Sequence, residues 1–202
     1  MKLYSYFRSS AAFRVRIALN LKGIAFETVP VDLLAAADQH KPQYRAVNPQ
    51  GLVPALMAEG TTIAQSLAII EYLDEMNPEP PLLPRSPIDR ARVRAMALAV
   101  ACDVHPLNNL RVLNYLRSPL GHDEDTVSAW YRHWVAEGFR GLEQEARRTS
   151  GDGRHMFGSS VTIADVYIVP QMYNARRFKC DVEPYPTLRG ICAHLETLPA
   201  FA

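Results

Sequence analysis

The stretch Tyr6-Phe7-Arg8-Ser9-Ser10-Ala11-Ala12-Phe13-Arg14-Val15-Arg16-Ile17-Ala18-Leu19 decides how the chain begins. A short apolar opening at Leu3-Tyr4 precedes it and an amphipathic run follows. The pattern predicts a strand over 2–5, a tight polar turn, and a helix over 11–21 that starts near Ala11 or Ala12. The two serines stand at the N-terminal edge of that helix. A helix start presents backbone N–H groups without intrahelical partners and a partial positive charge, which together favour an anion placed there. Serine is also a preferred helix cap. Two readings of Ser9 and Ser10 therefore stand at this point: a hydroxyl that closes the helix start, and a hydroxyl that donates to a bound anion.

Outward from this stretch the element types alternate. Gly23 suits the residue just past the helix, where a left-handed backbone closes the last turn. A second strand is expected over 26–30, a short polar helix over 38–47, a third strand over 53–57, and a fourth over 61–63 after the Glu59-Gly60 turn. Leu67, Ile70, Leu73 and Met76 then form a helical stripe within 65–76. The order β-α-β-α-β-β-α combines a right-handed crossover with a closing hairpin. Residues 77–87 hold five prolines and no periodicity, which reads as a linker between domains at 1–83 and 88–202. Everything beyond it reads as helix, over 88–116, 123–147, 163–178 and 188–195. Thr162-Ile163-Ala164-Asp165 has the form of a capping box, with Val161 and Val166 placed as a hydrophobic staple. This is a folding signal and carries no chemistry.

The bulk charge removes several classes of function. With 22 basic against 21 acidic residues the net charge is +1, so no electrostatic case exists for nucleic acid or an anionic membrane surface. Any arginine function is local to a site. Cys102, Cys180 and Cys192 are widely spaced and the six histidines are scattered, so neither a disulfide framework nor a metal site is expected. The N-terminus enters a predicted strand at once and no apolar run reaches the length of a membrane span, which predicts a cytoplasmic protein.

Two further dipeptides carry chemistry. Val53-Pro54 opens an apolar strand, and a proline that cannot donate to a ladder belongs at a first strand position or a bulge. An ordinary trans proline is the expectation there. A cis bond would instead turn the Val53 backbone N–H and C=O outward, where an extended peptide could pair with them. Gln65-Ser66 opens the next helix, where serine and backbone N–H groups suit a carboxylate as well as they suit a plain cap.

Taken in order, Ser9-Ser10, Val53-Pro54 and Gln65-Ser66 resemble the glutathione transferases. Arg14-Val15-Arg16-Ile17-Ala18-Leu19, Asn48-Pro49, Gln65-Ser66-Leu67-Ala68-Ile69-Ile70-Glu71-Tyr72-Leu73 and Val169-Pro170-Gln171 narrow the likeness to the zeta class. His105-Pro106-Leu107-Asn108-Asn109-Leu110-Arg111-Val112-Leu113 resembles its bacterial branch. The resemblance covers nearly the whole chain. It implies an α/β thioredoxin-like N-terminal domain followed by an all-α C-terminal domain, with glutathione as cofactor and a homodimer as the assembly.

The same resemblance implies residue roles. Ser10 would stand beside the glutathione sulfur as the catalytic hydroxyl, with Ser9 as its neighbour and possible substitute. The Val53 backbone, before Pro54, would pair with the cysteinyl unit, Gln65 and Ser66 would hold the γ-glutamyl end, and Gln39 would reach the glycyl end. His105 and Asn109 would contact glutathione from the helical domain. Arg8, Arg111 and Arg177 fall where the isomerase branch places arginines for a dicarboxylate, with Arg176 an open neighbour of Arg177. Arginine forks suit that task because they bind carboxylates through paired bonds and keep their charge. The implied activity is glutathione-dependent cis–trans isomerisation of a maleyl-type keto-diacid, maleylacetoacetate or maleylpyruvate, in aromatic breakdown. The alternatives are a transferase conjugating small electrophiles such as α-halo acids, and a non-catalytic binding module on the same fold. The chain departs from the class at Ala11, where a cysteine is common, and ends at Ala202, earlier than the class leads one to expect.

Overall fold

Leu3 and Ser5 are buried while Lys2 and Tyr4 are not, the period-two alternation of a half-buried strand. This strand, β1 (Lys2–Ser5), lies inside a four-stranded sheet in the computed structural model, which describes residues 1–202. The other strands are β2 (Glu27–Pro30), β3 (Ala55–Ala58) and β4 (Thr61–Ala64), in the order β2-β1-β3-β4. β1 pairs parallel with β2 and antiparallel with β3, and β3 and β4 form an antiparallel hairpin. A parallel pair needs a crossover, and α1 (Ser10–Leu21) supplies it. The chain divides into two units, Met1–Leu82 and Leu83–Ala202. No helix is long and apolar enough to cross a membrane.

Within the first unit α1 packs on α3 (Ser66–Met76), joining Val15, Ala18 and Leu19 to a core that includes Ile69, Ile70 and Leu73. Gly23 closes α1 at a φ of +64°, in the left-handed region that suits glycine, as its position predicted. Just before it, Lys22 buries its ammonium completely and donates to Asp74 at 2.6 Å and to the carbonyls of Asn77 and Pro80. These bonds tie the C-terminal ends of both helices to the proline-rich segment that follows.

Several boundaries differ from expectation. α1 starts at Ser10 because Ser9, one residue earlier, takes the cap. The helix expected over 38–47 is two pieces, a 3₁₀ turn at Asp38–His40 and α2 (Pro42–Val47), because Pro42 lacks an N–H and fits only a first helical position. The Val53-Pro54 bond is cis, where a trans bond was expected, and the strand after it begins at Ala55.

The second unit is helical: α4 (Pro87–Leu98), a π-helical stretch at Ala99–Val104, α5 (Leu110–Arg117), α6 (Glu124–Thr149), α7 (Ile163–Arg177) and α8 (Pro186–Leu195). α7 is buried almost all round and packs on α4, the π stretch and α8. The single helix expected over 88–116 is therefore broken. The His105 N–H donates to Val100, five residues back, which loosens the last turn. Pro106 then has no N–H to continue the ladder, and Asn109 caps a fresh helix. The capping box is present as read: Asp165 accepts the Thr162 N–H and hydroxyl, each at 2.8 Å.

Gly138 on α6 lets the π stretch approach closely. A Cβ there would lie 2.2 Å from Val104 Cγ2, and Val104 is fully buried. Gly138→Ala is therefore expected to destabilise the protein by about 1–3 kcal/mol through overpacking. The shift in the urea midpoint measures it, and an unchanged or raised midpoint would contradict the close approach.

Candidate active site

Register brings three sequence features to one end of the sheet. Tyr4 pairs with Ala55 and Ala55 with Ala64. The C-terminal end of β1, the start of β3 and the C-terminal end of β4 thus share one edge of the first unit. From that edge lead Arg8-Ser9-Ser10, Val53-Pro54 and Gln65-Ser66. α1 and α3 both begin there, so two helix N-termini with their partial positive charge lie at the same end of the sheet. β2 also ends there, since Ser5 pairs with Pro30, and the segment carrying Gln39 follows it.

Each feature has a local cause. Ser9 is extended at a φ of −75° and a ψ of 115°, and its Oγ accepts the Ala12 N–H at 3.2 Å. The cap reading thus belongs to Ser9, and Ser10 is the buried first residue of α1. Ser66 starts α3, and its Oγ accepts from the buried Arg14 guanidinium at 3.5 Å, which links the two helix starts. Gln65 has a φ of 72°, rare for a residue with a Cβ, and its amide donates to Gln50 Oε1 at 3.3 Å. Backbone held in a sparsely populated region by its surroundings is a frequent mark of a binding site.

Val53 lies outside the β3 ladder, which begins at Ala55. The carbonyl before it, on Leu52, accepts from the Tyr44 hydroxyl at 2.5 Å and from the Asn48 amide at 2.7 Å. Burial pushes the Tyr44 phenol up to about 12, so it stays protonated and donates. Gly51 completes this turn at a φ of +64°, where a Cβ would meet the Gln39 carbonyl oxygen at 2.7 Å. Tyr44 and Gly51 went unread in the sequence, because their roles depend on a turn that closes back on Leu52 and Gln39. Only the Asn48-Pro49 pair signalled it.

Gln39 sits in the 3₁₀ turn after a loop pinned by two aspartates. Asp32 accepts the N–H groups of Leu34, Ala35 and Ala36, and Asp38 accepts that of Asp32. These backbone bonds lower the Asp32 pKa, and Lys41 does the same for Asp38. The Gln39 amide donates to Leu33 O at 3.2 Å, so that group is engaged within its own loop. Arg8 is exposed, its guanidinium 5.0 Å from the Phe7 ring centroid.

In the helical unit, His105 follows the π stretch and Asn109 is the cap of α5, its Oδ1 accepting the Arg111 N–H at 3.1 Å. Arg111 is exposed on the first turn of α5. Arg177 is exposed at the last position of α7. Its neighbour Arg176 is held by Glu196 at 2.6 Å, which separates two arginines that spacing left open.

Residues 8–76 match the family described as glutathione S-transferase, N-terminal domain. A Vibrio cholerae protein named probable maleylacetoacetate isomerase is 48% identical, over 99% of this chain and 93% of its own length. Among solved structures, a holo maleyl pyruvate isomerase described as a bacterial zeta-class glutathione S-transferase superposes with a TM-score of 0.96. It is 46% identical and covers 100% of this chain and 94% of its own. A maleylacetoacetate isomerase from Methylobacterium extorquens, solved with malonate and glutathione bound, superposes with a TM-score of 0.95 at 43% identity, again over 100% and 94%. With that likeness running the length of the chain, the protein belongs to the glutathione S-transferase family, and within it to the zeta class.

Proposed function

We propose that this protein is a glutathione-dependent cis–trans isomerase of a maleyl-type keto-diacid, maleylacetoacetate or maleylpyruvate. The observation that supports it most is the meeting of two helix starts and the unladdered Val53 backbone at one end of the sheet. A short peptide with an anionic sulfur and carboxylate ends fits such a place. Val53 offers an N–H and a C=O to an extended main chain. Ser66, Gln65 and the start of α3 suit a terminal carboxylate and its ammonium. Residues 1–83 form the glutathione-binding domain in this reading and 88–202 the substrate-binding one, with Gln39, His105 and Asn109 as further glutathione contacts.

Glutathione, when bound, supplies the thiolate whose reversible addition makes the cis double bond single long enough to rotate. The chain's own residues do the rest. A free thiol has a pKa of about 8.5, and a helix N-terminus lowers it. The start of α1 acts in that sense, and the Ser10 hydroxyl donates to the sulfur anion. Ser9 keeps that helix start closed. Arg8, Arg111 and Arg177 bind the two carboxylates and stabilise the negative charge that develops on the substrate carbonyl oxygen.

The test follows the absorbance of maleylacetoacetate and of maleylpyruvate with purified protein, with and without glutathione. Conversion that requires glutathione is the expected result, and the better substrate names the reaction. No conversion of either despite measurable glutathione binding would overturn the proposal in favour of a conjugating transferase. Failure to bind glutathione in calorimetry would point to a binding module. The reading also carries a homodimer and a cytoplasmic location, the first checked by light scattering of the purified protein and the second by cell fractionation.

A further inference from the structure

A diacid recognised by two arginines requires their guanidinium groups to be held a set distance apart. Each arginine side chain gives up rotamer freedom on binding, so a footing fixed beforehand lowers that cost. Arg111 and Arg177 stand on different helices, α5 and α7, and neither helix alone sets their separation. One step of α6, Trp130-Tyr131, reaches both.

On one side, Trp130 Nε1 donates to Leu107 O at 2.9 Å, and the Asn108 amide donates to Tyr131 O at 3.3 Å. These two bonds fasten the turn over 105–109 to α6. The turn ends at Asn109, whose side chain accepts the Arg111 N–H at 3.1 Å. On the other side, the buried Tyr131 ring stacks on Phe178 with centroids 3.9 Å apart and planes 18° from parallel. Phe178 directly follows Arg177, whose guanidinium carbon lies 5.3 Å from the Phe178 ring centroid. Successive residues on a helix point about 100° apart, so adjacent positions can serve two directions. Arg176 takes no share in this footing, being paired with Glu196.

We propose that Trp130 and Tyr131 are positioning residues that set where Arg111 and Arg177 stand, and through them the preference for a diacid substrate. This rests on the reading that Arg111 and Arg177 bind the two carboxylates. Neither aromatic residue is asked to touch glutathione or the reacting atoms.

The test uses the full chain and five substitutions. Trp130→Phe keeps a ring and removes only the N–H. Tyr131→Leu removes the stack, and Tyr131→Phe retains it as the conservative variant. Arg111→Met and Arg177→Met report on the parent reading. For Trp130→Phe and Tyr131→Leu the KM for the diacid is expected to rise about tenfold, the scale of one lost net interaction, with kcat and the glutathione Kd changed less than about twofold. Tyr131→Phe should match the wild type. Added to Arg177→Met, Tyr131→Leu should raise KM no further, and Trp130→Phe should likewise add nothing to Arg111→Met, because each pair acts as one unit. A merely structural role would lower the melting temperature and the fraction of glutathione-binding protein without this KM pattern.

If both arginine variants raise KM while folded Trp130→Phe and Tyr131→Leu leave it unchanged, this inference is overturned and the parent reading stands. If the arginine variants leave KM unchanged, both are overturned. Should Trp130→Phe fail to fold, the Tyr131 pair and its double variant with Arg177→Met decide.

Discussion

Asp165→Ala is expected to lower the stability of the protein by about 3–5 kcal/mol, because three donors lose their acceptor at once. Asp165 is 0% exposed. Its Oδ2 accepts the N–H and the hydroxyl of Thr162, and its Oδ1 accepts the Met156 N–H at 2.7 Å. A buried N–H left without a partner costs about 1–3 kcal/mol, and the change leaves two. It also releases the loop leading from α6 to the start of α7, the most buried helix of its unit. The shift in urea-unfolding free energy measures this, and a loss under about 1 kcal/mol would show that solvent reaches those donors.

The same carboxyl gives a pH dependence of defined sign. Burial pushes the Asp165 pKa from an ordinary 3.8 up to about 6, against the opposing pull of its hydrogen bonds and of His155. The folded chain therefore binds this proton more tightly than the unfolded chain. The stability it contributes is full below about pH 4 and lost as pH rises through 6. Asparagine has no such proton. The stability advantage of wild type over Asp165→Asn should accordingly shrink as pH rises from 4 to 7, measured by unfolding both proteins across that range. An advantage that grows with pH would reverse the assignment.

Ser10→Ala is expected to lower kcat/KM about 10- to 100-fold at neutral pH, the effect of losing one hydrogen bond to a charged group. The thiol of bound glutathione should titrate closer to its free value, visible in its ultraviolet thiolate absorbance. Ser9→Ala should behave differently. Its oxygen is the cap of α1, so the expected loss is about 1 kcal/mol of stability with a smaller effect on rate. A larger fall in kcat/KM for Ser9→Ala than for Ser10→Ala would exchange their roles.

Much of this layout is legible from local pattern. The start of α1, its closure at Gly23, the β3–β4 hairpin and the capping box at Thr162 each depend on residues within about five positions, where capping, turn and periodicity preferences act. The positions of Ser9-Ser10, Val53-Pro54 and Gln65-Ser66 were recognised in the same way, as helix-start and strand-start dipeptides. The misread regions share a different origin. The helix expected over 88–116 was lost because periodicity continues through residues whose backbone bonds shift to a π spacing before Pro106. Tyr44 gives no local sign that its hydroxyl closes on Leu52, and Trp130 none that its indole reaches Leu107, 23 residues away.

The amino-acid order by itself determined the order of element types in the first unit, which residues could cap or bind an anion, and that any arginine chemistry must be local in a nearly neutral chain. Tertiary structure alone decided which of two arginines is taken by Glu196. It also decided that three separate dipeptides share one end of a sheet. The physical reason is range. Capping and periodicity are set by neighbours along the chain, whereas register, ion pairing and the footing of a distant side chain are set by groups that meet only after the backbone has folded.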